Sequence, residues 1–256
     1  MLEEIDVQVQ KLLRTVNQRA LQHLDGSSYQ VDTKSSYSDL VTTIDRQNEQ
    51  ELDRRLREID PGCRILSEEG FGNQQLSDLS GHVWIVDPLD GTLNFVKQHA
   101  NFGVMLALYI DGRPTLGYIM DAVKQDLYHG GNGWGVFKND QPLAAPADAS
   151  LRDSLIAIGR SLVLDNVANL PQVARHASGL RMYGSAAMEM IGMLTGELGA
   201  YISYLRPWDL APGRVLAEEL GLTVKSIDDD GINVLSSNLV LVATERASQD
   251  ILRLTD

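Results

Sequence analysis

Trp84-Ile85-Val86-Asp87-Pro88-Leu89-Asp90-Gly91-Thr92-Leu93-Asn94-Phe95 is the stretch whose reading decides the fold. Val83 to Val86 is a short apolar run rich in β-branched residues, the pattern of a buried strand. Pro88 has no N–H to give a sheet ladder, so the strand is expected to stop at Asp87. Two carboxylates three residues apart then flank a tight turn, and Gly91 lets backbone N–H groups approach a ligand. Negative charge concentrated at the end of a buried strand repels itself unless a cation is near. Hard oxygen ligands suit Mg²⁺, which takes one or two carboxylates plus substrate phosphate. For an isolated D-x-x-D-G a polar turn would explain the residues as well; here other segments supply partners.

Working outward, Arg64-Ile65-Leu66-Ser67 reads as a second strand ending in acids, Glu68 and Glu69. Ligands collect at the carboxyl ends of sheet strands, so two such strands on one edge would bring their acids together. Adjacent residues diverge where a strand enters a loop, so only one glutamate need face the site. Asp209, in Arg206-Pro207-Trp208-Asp209, is a third acid between a strand (Ala200–Tyr204) and a helix start, where a simple helix cap is the competing reading. Pro212 implies a late start or a kink in that helix. Upstream, Asp39 or Thr42 suits an N-cap, and Asp45 by itself reads as a cap or surface residue. The polar segment from Gly26 to Ser38 reads as a loop carrying Lys34, which could reach an anion. Gly184-Ser185-Ala186 precedes a helix, where small residues permit either ligand contact with backbone N–H groups or close helix–sheet packing.

The remaining elements follow from periodicity. Leu2, Ile5, Val9, Leu12, Val16, Ala20 and Leu24 mark an amphipathic helix, and Ile44, Leu52, Leu56 and Ile59 a second. The second helix is expected to carry exposed pairs from Glu51 to Arg55 and from Asp53 to Arg57. Phe102–Ile110, Pro114–Ala122, Gln125–His129 and Gly133–Phe137 read as antiparallel strands, with Asp111-Gly112 and Asn139-Asp140 as turns. The glycine-rich run 130–135 fits hairpin geometry, and His99 fits a structural role. Composition shifts near Ala144–Leu151, dividing the chain into residues 1–145, with the metal and phosphate site, and 146–256, which supplies Asp209 and the substrate pocket. Beyond it come a strand at Leu155–Gly159, helices at Asn166–Ala177 and Met188–Leu194, and a last strand and helix at Leu239–Ala243 and Gln249–Leu254. Asp228-Asp229-Asp230-Gly231 lacks the other ligands of an EF-hand and reads as a solvated turn.

Composition bounds the function. At 43% hydrophobic and 22% charged, 256 residues can bury a substantial core. A net charge of -13 argues against nucleic acid or an anionic membrane as the main partner. One cysteine, Cys63, gives no disulfide framework and fits a reducing cytoplasm; Glu3, Glu4 and Asp6 have the wrong sign for a secretory signal. No apolar run approaches a membrane span. The five histidines lack zinc-site spacing, and neither a serine-hydrolase elbow nor a P-loop is present.

Glu68-Glu69, Asp87-Pro88-Leu89-Asp90-Gly91-Thr92 and Trp208-Asp209 together resemble the signatures of the inositol monophosphatase family, as does Asp39-Leu40-Val41-Thr42 with Asp45. With Asn94, the central motif is closer to inositol monophosphatases and archaeal-type fructose-1,6-bisphosphatases than to the 3′-nucleotidase branch. The resemblance implies an α/β (α+β) layered α-β-α-β-α sandwich, two or three Mg²⁺ ions, lithium sensitivity, hydrolysis of phosphate monoesters and a homodimer. It implies that Glu68, Asp87 and the Leu89 carbonyl hold one metal and Asp87, Asp90 and Asp209 another, the arrangement that clamps attacking and leaving oxygens. Thr92 with Asp45 would orient and deprotonate the water. Lys34, Gly91, Thr92, Gly184, Ser185 and Ala186, with Asp90 and Asp209, would surround phosphate and substrate.

Ile202 stands where inositol-cleaving members often carry a glutamate, and Pro212 where an alanine is usual. The leading expectation is therefore a Mg²⁺-dependent phosphatase of a small polyol or sugar phosphate. Fructose 1,6-bisphosphate and 3′-phosphoadenosine 5′-phosphate are the alternatives within the class. A metal-binding regulatory protein acting through a macromolecular partner is the alternative outside it.

Overall fold

Residues 2–24, 29–34, 39–72, 76–131, 133–228 and 231–255 are described by the structure, a computed structural model. Helix α1 (Leu2–Gln22) is followed by a short antiparallel pair, β1 (Val31–Thr33) and β2 (Leu40–Thr42), which runs directly into α2 (Thr43–Ile59). Part of the segment expected as loop is thus strand; residues 25–28 and 35–38 lie outside the described residues. Thr42 caps α2, its hydroxyl accepting from the Ile44 and Asp45 amides while Asp45 accepts from the Thr42 amide, which is a capping box.

Seven strands then form one sheet in sequence order: β3 (Arg64–Ser67), β4 (His82–Asp90), β5 (Gly103–Ile110), β6 (Arg113–Asp121), β7 (Asp126–Gly130), β8 (Val136–Lys138) and β9 (Gln141–Pro142). Only β3 and β4 pair in parallel, with Ser67 opposite Val86. The end of β3 therefore lies beside Val86, one residue before Asp87. Strand β4 does not stop at Pro88, as the missing N–H suggested. It continues to Asp90, and its register with β5 shifts between Asp87 and Asp90, so the proline falls where the ladder is already interrupted. The helix α3 (Thr92–Gln98) follows at once. His99 closes α3 in a left-handed conformation, the structural role expected of it.

The second sheet has the order β11-β10-β12-β14-β13, built from β10 (Leu155–Ile158), β11 (Gly179–Arg181), β12 (Ala200–Leu205), β13 (Thr223–Ser226) and β14 (Asn238–Ala243). Its helices are α4 (Arg160–Leu164), α5 (Leu170–His176), α6 (Ala186–Leu194), α7 (Pro207–Glu219) and α8 (Glu245–Thr255). The helix expected over Asn166–Ala177 is divided. Asn166, Ala168 and Asn169 have positive φ, and regular helix begins only at Leu170, with Pro171 in its first turn. Strand β13 and helix α4 were not foreseen. Helix α7 begins at Pro207, not late, and is assigned without interruption through Pro212. Asp229 and Asp230 of the expected acidic turn, and Asn132 of the glycine-rich run, lie outside the described residues.

The apolar faces define the layers. Val9, Leu13 and Leu56 of α1 and α2 pack on Trp84, Val86, Leu106 and Tyr118 of the seven-stranded sheet. On the sheet's other face, Met105 and Ile119 meet Ala187 and Met190 of α6, Leu216 of α7, and Tyr201 and Val240 of the five-stranded sheet. Leu170, Val173 and Ile251 of α5 and α8 cover the far side of that second sheet against Ile156, Ile202 and Leu241. The order is α-β-α-β-α, as the family resemblance implied. Exposed ion pairs within α2 join Arg54 to Glu51 and Glu58, and Arg55 to Glu58; Asp53 is buried, with the charge of Arg57 acting on it.

Helix α7 lies close on β6 because Gly117 leaves room for it. A Cβ on Gly117 would meet the Pro212 carbonyl oxygen at 2.7 Å and the Val215 Cβ at 3.0 Å. Gly117→Ala is expected to lower stability by roughly 1–3 kcal/mol through overpacking, read from urea unfolding. An unchanged midpoint and slope would contradict this close contact.

Candidate active site

Strand topology brings the acids together. Because β3 and β4 run in parallel, Glu68 and Asp87 emerge side by side, and the Glu68 amide donates to the Val86 carbonyl at 3.2 Å. The register shift turns the chain so that Asp90 also faces inward, and α7 delivers Asp209 from across the interlayer space. Carboxylate oxygens of Asp87, Asp90 and Asp209 all lie within 4.8 Å of one another. They line a cavity of about 160 Å³ with Glu68, Leu89, Gly91, Thr92, Leu93 and Gly184.

Each acid is fixed by donors. Asp87 accepts from the Leu89 amide at 3.0 Å, within its own turn. Asp90 accepts from the Ala186 and Ala187 amides at 3.1 and 2.8 Å and from the Ser185 hydroxyl, at the start of α6. Asp209 accepts from the Arg206 amide at 3.1 Å in the first turn of α7, so the cap reading and the site reading are both true of it. Ser185 and Ala186, expected around the substrate, hold Asp90 and also line the adjoining larger cavity, while Gly184 borders both cavities. Gly91 has a positive φ of 82°, and a Cβ there would press on the Asn101 carbonyl and Ser185 at 3.1 Å.

Glu68 borders the same cavity but is not one of the three mutually close acids. Lys34 pairs with it at 3.0 Å and with Glu69, and Arg206 approaches Glu68 at 3.6 Å. Burial would push the Lys34 pKa down, but Glu68 and Glu69 outweigh that and leave it raised. Glu69 is lifted to about 7, by burial against the opposing pull of Lys34.

Thr92 donates its hydroxyl proton to Asp45 at 2.7 Å, with the Leu89 carbonyl at 3.1 Å as the alternative acceptor. Asp45 is not a surface residue: it is fully buried, and it accepts from the Thr42 amide and hydroxyl as well. Sequence reasoning missed two neighbours on the same helix. Asn48 donates to the Pro88 carbonyl at 3.4 Å, and Glu49 accepts from Ser67, Glu69 and Phe71. A signal existed, since 45, 48, 49, 52 and 56 recur at the steps of a buried helix face.

Burial and mutual repulsion set the electrostatics. Asp87 is pushed well above the ordinary carboxylate range by burial, then by Glu68, Asp90 and Asp209. Asp209 rises to about 8 by burial, then by Asp90 and Glu68. Asp90 rises to about 6 by burial, against its Ser185, Ala187 and Ala186 donors. Buried carboxylates this close, with only oxygen donors around them, form a hard anionic set suited to a divalent cation.

A second cavity, of about 540 Å³, opens beside the first and shares Asp90, Leu93, Gly184 and Asp209 with it. Glu189, Tyr201, Ser203, Tyr183, Tyr204 and Arg160 line it. Ile202 does not face this cavity; strand alternation turns it into the outer core, so its neighbours Tyr201 and Ser203 hold the inward positions.

A layered α/β fold with acids gathered over a small polar cavity defines a phosphatase class, and comparison with known proteins agrees. The description "Inositol monophosphatase family" matches residues 1–256. The chain belongs to the inositol monophosphatase family, and it is a phosphomonoesterase. It is similar to the inositol-1-monophosphatase of Bacillus subtilis, 37% identical over 243 residues, covering 93% of this chain and 91% of that protein. It is 28% identical over 240 residues to the fructose-1,6-bisphosphatase/inositol-1-monophosphatase of Thermotoga maritima, covering 93% and 91%. A crystal structure of an IMPase/NADP phosphatase complexed with Mg²⁺ and phosphate superposes with a TM-score of 0.90 at 27% identity, covering 99% of this chain and 95% of that one.

The raised carboxylates give a stability prediction. Acids whose pKa is raised by folding bind protons in the fold that the unfolded chain has already lost. Stability of chelator-treated protein therefore falls as pH rises from the ordinary carboxylate range through about 8. Mg²⁺ is expected to raise the melting temperature more at pH 8 than at pH 5. An equal rise at both values would contradict the repulsion.

Proposed function

We propose that this protein is a Mg²⁺-dependent phosphatase of a small phosphorylated polyol or sugar. The convergence of Asp87, Asp90 and Asp209 beneath the Thr92–Asp45 pair is the observation that carries this reading. Asp87, Asp90 and Asp209, with Glu68 and the Leu89 carbonyl at the cavity wall, would hold the ions. Bound there, Mg²⁺ supplies Lewis acidity toward phosphoryl oxygens and makes water a competent nucleophile near neutral pH.

The chain's own residues do the rest. With its proton on Asp45, the Thr92 hydroxyl presents lone pairs to a water in the cavity and orients it toward phosphorus. Burial, opposed by the Thr42 and Thr92 donors, leaves the Asp45 pKa raised, which makes its carboxylate a better acceptor for the relayed proton. The first amides of α3 have no carbonyl partner inside that helix and serve phosphate oxygens. Water attacks, the ester P–O bond breaks, and inorganic phosphate and an alcohol leave. No phosphoenzyme is formed on this scheme.

The larger cavity receives the rest of the substrate, with hydroxyls on Ser203 and Tyr201 in place of the glutamate seen in inositol-cleaving members. A phosphorylated nucleotide is a second reading. It is favoured by the open rings of Tyr183 and Tyr204, 36% and 54% exposed, and by Arg160 in the same cavity. Lithium sensitivity, a homodimer and a cytoplasmic location belong to the proposal through the family resemblance. Among the described residues no helix is long and apolar enough to cross a membrane.

Phosphate release from inositol 1-phosphate, glycerol phosphate, fructose 1,6-bisphosphate and nucleotide 2′- and 3′-phosphates tests the reading. Release is expected for at least one polyol or sugar ester, and only with Mg²⁺. Silence across the whole panel would favour a binding protein instead. Asp87→Asn is expected to reduce turnover to background while the melting temperature of metal-free protein stays level or rises, because one repelling charge is gone. Thr92→Ala is expected to lower kcat on the order of 10²-fold with a much smaller change in KM; an unchanged kcat would remove Thr92 from the mechanism.

A further inference from the structure

Glu49 lies on α2, four residues after Asp45. It is fully buried. A carboxylate is seldom left there without reason, and this one is satisfied by a single short segment. One oxygen, Oε1, accepts from the Ser67 hydroxyl at 2.8 Å and the Phe71 amide at 2.6 Å. The other, Oε2, accepts from the Glu69 amide at 2.6 Å. Ser67 in turn accepts from the Gly72 amide at 3.0 Å. The turn from Ser67 to Gly72 is thereby wrapped around one buried anion.

Glu68 sits inside that turn, flanked by residues whose groups bond to Glu49. Its own amide is held by the Val86 carbonyl at 3.2 Å. Its side chain is shared between Lys34 and Arg206. Backbone placement is therefore what decides whether Glu68 can swing toward Asp87.

We infer that Glu49 is the positioning residue that aims Glu68 at the cation site. The inference rests on the metal-dependent reading above and goes beyond it. Charge-assisted hydrogen bonds to three donors in one turn fix the direction in which Glu68 leaves the sheet. Asn48, one residue earlier, does the same for the Pro88 carbonyl, so two turns of the site take their place from adjacent residues of one helix. Outer partners of metal ligands commonly change metal affinity or activity 10–100-fold when removed.

The test compares wild type, Glu49→Ala and Glu49→Gln. Mg²⁺ binding is read by calorimetry, amide exchange in residues 67–72 by mass spectrometry, and phosphate release as a function of Mg²⁺. In Glu49→Ala, Mg²⁺ affinity is expected to fall by roughly 10–100-fold, exchange in the turn to accelerate, and KM for substrate at saturating Mg²⁺ to change little. Glu49→Gln keeps one acceptor oxygen and should lie between; it carries the test if the alanine variant fails to fold. Wild-type Mg²⁺ affinity in Glu49→Gln would overturn the inference, as would a lowered melting temperature with unaltered Mg²⁺ binding in Glu49→Ala. A wild-type protein that releases no phosphate would count against the proposed function alone, because calorimetry and exchange still decide the role of Glu49.

Discussion

Mutual repulsion among Asp87, Asp90 and Asp209 is the constraint on which the site depends. Their oxygens stand within 4.8 Å of one another in a cavity of about 160 Å³. Folding buries these acids and concentrates that repulsion, and the pKa values of all three rise, by burial first and by neighbouring carboxylates second. A fold that brings buried like charges together at a cost is one in which something else compensates, and a divalent cation is the compensation that matches hard oxygen donors. The secondary structure serves the same end. The parallel pairing of β3 with β4 aligns Glu68 with Asp87, the register shift turns Asp90 inward, and the Arg206 amide at the start of α7 anchors Asp209.

Helix α2 supports this arrangement from beneath. One face carries Asp45, Asn48 and Glu49 and continues as Leu52 and Leu56, all buried. The apolar half packs on the sheet with α1. The polar half bonds Thr92, the Pro88 carbonyl and the Ser67–Phe71 turn. A single rigid helix thus references three loops to one another. Farther along, Asp53 is lifted to about 7 by burial and by Glu49, which favours its neutral form and spares the interior a further charge.

Much of this was legible in the sequence because the relevant signals were local. The β-branched run before Asp87, the paired acids with Gly91 and Thr92, the second strand ending at Glu68 and the Trp208-Asp209 step each announced themselves within a few residues. Failures arose where tertiary context overrode a local rule. Pro88 reads as a strand terminator, yet the register shift makes its missing donor irrelevant. Asp45 reads locally as a cap, which it is; its service to Thr92 comes only through the family resemblance and is seen in their hydrogen bond. Glu49 reads as one more charged residue on a helix rich in them. Its spacing from Leu52 and Leu56 places it on the inner face, but that reading requires allowing a carboxylate where the pattern demands an apolar side chain. Ile202 was read in the position of a pocket carboxylate, whereas strand alternation gives that wall to Tyr201 and Ser203.

The central claim is that distant acids converge to hold divalent ions over a phosphate. Crystals grown with Mn²⁺ and inorganic phosphate, with anomalous difference density collected at the manganese edge, test it most directly. The account predicts anomalous peaks bridged by Asp87, Asp90 and Asp209, with Glu68 turned toward them and a phosphate beside Thr92. Manganese bound elsewhere, with these carboxylates pointing to separate solvent-facing positions, would contradict it.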